Sequence, residues 1–128
     1  MSLTFVRPEG NLETASMILI GEQPGKSEII DGKPFVGPSG KLLNECLRGL
    51  EISRSDCYLT NVFKDLDHPL KYYIQYDKGE ITFSSEGLHQ VENLKEEIKN
   101  SKASVIICFG WVPLATLAKR SEIGRAHV

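Results

Sequence analysis

Hydrophobic positions along this chain fall into two kinds of block. Met17-Ile18-Leu19-Ile20 and Val105-Ile106-Ile107-Cys108-Phe109 are unbroken apolar runs, the pattern of strands covered on both faces. Cys57-Tyr58-Leu59-Thr60-Asn61-Val62-Phe63 is a third strand-favouring run, with Asn61 as a polar amide where another apolar residue is expected. These predict strands over 16–21, 57–63 and 103–110. Leu42, Leu43, Cys46, Leu47 and Leu50 recur at helical spacing and predict a helix over 39–50. Leu88, Val91, Leu94 and Ile98 predict a second over 85–100, and Pro113 suits the first turn of a third that runs to about 120. Tyr72 to Tyr76 and Ile81 to Phe83 flank Asp77-Lys78-Gly79-Glu80, which reads as a hairpin. Residues 1–15 are polar and turn-rich and are expected to wrap the outside. The order predicts one α/β domain over 1–128, a three-layer α/β/α sandwich around a central parallel sheet.

Between the first strand and the first helix lies 21–40, GEQPGKSEIIDGKPFVGPSG, with five glycines and three prolines in twenty residues. It reads as a long loop, with Ser39 as the expected N-cap of the helix. Loops at the carboxyl ends of parallel strands are where α/β folds keep their chemistry. Glu22, Phe35, Asn61 and Gly110-Trp111 are expected to converge there. Singly, each has a plain alternative: Glu22 as a loop carboxylate, Phe35 as a loop anchor, Asn61 as a strand-end turn residue. Together they describe a pocket with a carboxylate, an aromatic face and an amide that can donate and accept.

Composition narrows the picture modestly. The chain has 128 residues, 41% hydrophobic and 25% charged, with a formal net charge of −2. That balance advertises no tight non-specific affinity for nucleic acid. No apolar run is long enough for a bilayer and no signal-peptide pattern is present, so a soluble, cytoplasmic protein without membrane contact is expected. Cys46, Cys57 and Cys108 lack CxxC spacing and neighbouring histidines, and are expected to be small buried hydrophobes. The loop also lacks both GxGxxG and GxxxxGK[ST], which weighs against a phosphate-holding nucleotide domain.

Four segments carry a family resemblance: Gly21-Glu22-Gln23-Pro24-Gly25, Lys33-Pro34-Phe35-Val36-Gly37, Ser39-Gly40-Lys41-Leu42-Leu43 and Tyr58-Leu59-Thr60-Asn61-Val62-Phe63-Lys64. In order and spacing they resemble the uracil-DNA glycosylase superfamily, above all its family-four enzymes and related domains associated with phage DNA polymerases. The resemblance covers roughly 16–120 and implies hydrolysis of the N-glycosidic bond of uracil in DNA. By that resemblance Glu22 is the catalytic carboxylate, Gln23, Phe35 and Asn61 hold the flipped uracil, and Gly21, Pro24, Gly25 and Gly110 supply backbone or phosphate contacts. It implies uracil-containing DNA as partner, with replication proteins as further candidates, and a monomer is expected.

Two departures qualify it. Family-four enzymes carry four cysteines for an iron–sulfur cluster, one of them directly after the strand-two lysine, where this chain has Asp65; no cofactor or metal is expected. The superfamily's later histidine motif has no counterpart at the right place, since His68-Pro69 comes too early and His127 follows strand three too closely. The sequence stops before a fourth βα unit, so truncation at the carboxyl end is expected. Activity is therefore expected to be weak or absent, and the alternative is a catalytically silent nucleic-acid-binding module related to phage polymerase accessory domains.

Overall fold

The computed structural model describes residues 4–118. Its sheet is β1 (Met17–Gly21), β2 (Cys57–Asn61) and β5 (Val105–Cys108), all parallel, in the order β2-β1-β5. A separate antiparallel hairpin is formed by β3 (Ile74–Asp77) and β4 (Glu80–Phe83). The helices are α1 (Lys26–Asp31), α2 (Pro38–Gly49), the single turn α3 (Leu70–Tyr73), α4 (Ser85–Lys99) and α5 (Trp111–Leu117).

Alternation along the strands builds two cores. Ile18 and Ile20 of β1, with Tyr58 of β2, face Val91 and Leu94 of α4 and Val112 of α5. Leu19, Cys57 and Leu59 point the other way, onto Leu43 and Leu47 of α2 and onto Phe35. Opposite-facing side chains two by two are what the strand period of two dictates, and with helices on both faces the α/β/α layering follows.

The outer edge of β2 is covered by the amino-terminal segment. Glu9 and Leu59 exchange both backbone hydrogen bonds (2.9 and 2.8 Å), and Val6 N–H donates to Lys64 O at 2.7 Å. The wrapping segment is thus a guard on a sheet edge that would otherwise expose a row of unpaired peptide groups.

Several details differ from the sequence expectation. α2 starts at Pro38 with Gly37 as N-cap, so Ser39 lies inside the first turn; proline at the first helical position suits a site whose N–H has no partner. The buried line of α2 is Gly40, Leu43 and Leu47, whereas Leu42, Cys46 and Leu50 are exposed. A helix resting on a sheet through one i, i+3, i+4 line hides a narrower stripe than the leucine count suggests. Leu88 of α4 is also exposed, beside buried Gly87, Val91 and Leu94.

Tyr72 and Tyr73 close a helical turn rather than opening the hairpin. Residues 26–31, read as loop, are helical because Glu28 bonds back to the first turn. β5 was expected to be covered on both faces, yet Val105, Ile106 and Ile107 are 44%, 41% and 37% exposed; among the described residues β5 pairs with β1 alone and has no strand on its outer side. Periodicity cannot separate an apolar edge strand from a central one. Among the described residues no helix is long and apolar enough to cross a membrane.

Candidate active site

The loop after β1 is held by two side chains that sequence reading did not single out. Glu28, in α1, accepts hydrogen bonds from the backbone N–H groups of Gly25 (2.9 Å), Val36 (2.9 Å) and Gly37 (2.7 Å). Burial pushes its carboxyl up, but these backbone donors outweigh that and hold it below the usual carboxylate range. Arg54, just before β2, pairs bidentately with Glu9 (2.9 and 3.0 Å) and donates to the carbonyls of Phe35 (3.0 Å) and Pro34 (2.8 Å) and to Asn44 (2.9 Å). Two of these hydrogen bonds hold the backbone at Pro34 and Phe35. Phe35 itself sits at φ 53, a left-handed conformation uncommon for a bulky residue, and such outliers persist only where surroundings impose them.

Two glycines make the space for this placement. A Cβ on Gly40 would lie 1.9 Å from Phe35 O, so α2 can approach the Phe35 backbone only with glycine there. A Cβ on Gly21 would lie 2.5 Å from Asn61 Oδ1 and 2.9 Å from Phe35 Cζ. Gly21 and Asn61 are register partners on β1 and β2, so the sheet brings the amide and the ring together over the bare glycine.

These elements enclose a cleft of about 460 Å³ at the carboxyl edge of the sheet. Gly21, Glu22, Gln23, Pro24, Gly25, Phe35 and Asn61 all line it, as do Lys26, Ser39 and Phe109. Glu22, Phe35 and Asn61 therefore share one cavity, whereas Trp111, expected beside them, does not line it. Asn61 is 6% exposed, and its side-chain amide makes no hydrogen bond to any described residue. A nearly buried amide that keeps its donors and acceptor free is suited to a ligand. Its own carbonyl is fixed by Lys64 Nζ (2.9 Å), whose ammonium also pairs with Glu97 of α4 at 2.7 Å. The Glu22 carboxylate stands at the mouth, open to water, yet partial burial raises its pKa above the usual value.

Some expected members are placed differently. Gly110 caps α5 at φ 97 and lies outside the cleft lining; Phe109 takes the place, its ring 5.5 Å from that of Phe35 and tilted by 59°. The Gly25 N–H is committed to Glu28 and Pro24 has none, which leaves the Gln23 N–H for a phosphate or base. The Gln23 side-chain nitrogen is committed too, donating to Asp65 O (3.1 Å) and His68 O (2.8 Å), so that it ties the two loops beside the cleft. His68 stacks on Tyr72 at 3.8 Å and lines a different cleft. His127 lies outside the described residues.

The residues present do not fit an iron–sulfur cluster. Cys57 is buried in β2 and Cys108 half-buried in β5, while Cys46 is exposed on α2 because it lies off the helix line that meets the sheet, a correction to its expected burial. The Asp65 carboxylate accepts hydrogen bonds from Tyr73 Oη and from Gln90 Nε2 (3.0 Å). No group of three or more His, Cys, Asp or Glu side chains among the described residues could hold a metal ion.

Comparison with known proteins bears on the family. The family model described as the Uracil DNA glycosylase superfamily matches residues 7–127. The chain is 47% identical over 60 residues to the type-4 uracil-DNA glycosylase of Archaeoglobus fulgidus, a stretch covering 47% of this chain and 30% of that protein. It is 50% identical over 56 residues to the Thermotoga maritima type-4 enzyme (44% of this chain, 29% of that protein), and 49% over 57 to the Saccharolobus solfataricus one (44% and 26%). The aligned stretch thus spans under a third of each curated relative. With the family model matching nearly the whole chain, this chain belongs to the uracil-DNA glycosylase superfamily.

Proposed function

We propose that this chain hydrolyses the N-glycosidic bond of uracil in DNA. The observation that carries the reading is the unpaired Asn61 amide facing the Phe35 ring across bare Gly21, inside a cleft that a single base can enter. A base inside a duplex cannot reach such a cleft, so uracil must leave the stack. Phe35 then lies against its face, while Asn61 donates to the uracil O4 and accepts from N3–H.

Glu22 is placed to act on the sugar side. As the C1′–N1 bond breaks, its electron pair passes to the uracil ring and positive charge grows on the deoxyribose. A carboxylate at the cleft mouth stabilises that charge and orients a water whose oxygen bonds to C1′; the water's proton passes to Glu22 and on to solvent. The raised pKa of Glu22 suits it to hold that proton briefly. The Gln23 N–H is a donor for the uracil or a neighbouring phosphate.

The similarity to type-4 enzymes supports uracil-containing DNA as the substrate. The test is release of uracil from single- and double-stranded oligonucleotides, read as alkali-labile abasic sites. Release from either supports the reading. Binding of uracil-containing strands without release would instead favour a silent nucleic-acid-binding module.

A further inference from the structure

We propose that an aromatic rim beside the cleft, made by Phe109, Trp111 and Tyr76, is a stacking surface for the unpaired bases that flank the uracil. The proposal rests on the uracil reading above and extends it from one base to its neighbours in the strand.

The rim meets the cleft at Phe109. Phe109 is in the cleft lining and touches Phe35. Two residues on, Trp111 opens α5, and its ring lies 5.2 Å from that of Tyr76 on β3, inclined at 57°. Trp111 is 50% exposed, Tyr76 58% and Phe109 37%. Tyrosine and tryptophan that serve a core are covered by their neighbours. Here the two rings meet each other and still leave half their surface in water, so the fold makes little use of their burial.

The chemistry of the rim selects its occupant. When one nucleotide swings into the cleft, each adjacent base loses a stacking partner. An uncharged aromatic surface next to the cleft replaces that partner, and does so for any base, because every base presents a π-face. An unpaired strand is the form of DNA that can use it. The rival occupant is protein, since the exposed apolar residues continue along the edge strand β5.

Trp111 is the only tryptophan in the sequence, so intrinsic tryptophan fluorescence reports on the rim directly. The full chain is titrated with short single strands carrying an uncleavable 2′-fluoro-2′-deoxyuridine, flanked either by natural bases or by abasic tetrahydrofuran residues. Free protein is expected to emit at the wavelength of a water-exposed indole. Natural flanks should quench it, whereas abasic flanks should not, and should weaken binding by about tenfold. Trp111→Ala and Tyr76→Ala should each weaken binding of the natural strand and be indifferent to abasic flanks, with circular dichroism unchanged.

Equal affinity for both strands would overturn the proposal, and so would blue-shifted emission from free protein, which would mean that polypeptide covers the rim. A strand with thymine in place of uracil separates the two readings. If it binds as well as the uracil strand, the uracil reading fails, while the difference between natural and abasic flanks still decides the rim.

Discussion

Gly21 is the residue on which the cleft depends most closely. A methyl group there would collide with Asn61 Oδ1 and the Phe35 ring, so both side chains would have to shift from their places in the cleft. Gly21→Ala is therefore expected to leave the fold intact and to reduce uracil excision by about a hundredfold, the scale on which a displaced electrostatic or positioning group is felt. An excision assay beside a thermal melt checks it; full activity would mean the amide and ring do not act together. Glu22 gives a second test. Because burial raises its pKa and the carboxylate is the working form, activity should climb with pH through a value above the ordinary carboxylate pKa of about 4.3. That acid limb should vanish from the residual activity of Glu22→Gln.

At the scale of elements, the loop after β1 is held from two sides. Arg54 fixes the Pro34 and Phe35 carbonyls, and Glu28 gathers three backbone N–H groups of the loop. Arg54→Ala should cost activity through a freed Phe35, and Arg54→Lys should restore little, because a single ammonium cannot replace a planar fork. The Glu28 carboxyl titrates below the usual range in the native loop, so its stabilising contribution is present above its unfolded pKa and is lost as pH falls through the lower, folded value. The thermal midpoint of the natural chain should thus drop more on acidification below about pH 4.5 than that of Glu28→Gln, measured by calorimetry across pH 2–6. Lys64 and Glu97 join the end of β2 to α4 with side chains only 10% and 14% exposed. Lys64→Met should destabilise by about 3 kcal/mol in denaturant unfolding, since it leaves the Glu97 charge poorly solvated and unpaired.

For the molecule as a whole, the α/β plan and the convergence of Glu22, Phe35 and Asn61 were legible because buried strands and helical stripes carry strong periodic signals. Local propensities also marked the glycine-rich loop. The clamps were not legible: Arg54 and Glu28 act through contacts with backbone 19 or 20 and 8 or 9 residues away, and no spacing rule connects such groups. Nor was the edge position of β5, because an apolar run says nothing of how many neighbours a strand has. Gly110 was expected to supply a backbone contact from its place at the end of the third strand and from the family resemblance, whereas its neighbour Phe109 lines the cleft. The central claim is that one cleft reads uracil with Asn61 and drives bond cleavage with Glu22. Its most direct test is the single-turnover rate of uracil excision from a single-stranded oligonucleotide by the natural chain, Asn61→Ala and Glu22→Gln. Excision by the natural chain that falls by about a hundredfold or more in each variant is the predicted result. Excision that survives both substitutions, or none from the natural chain, would contradict it.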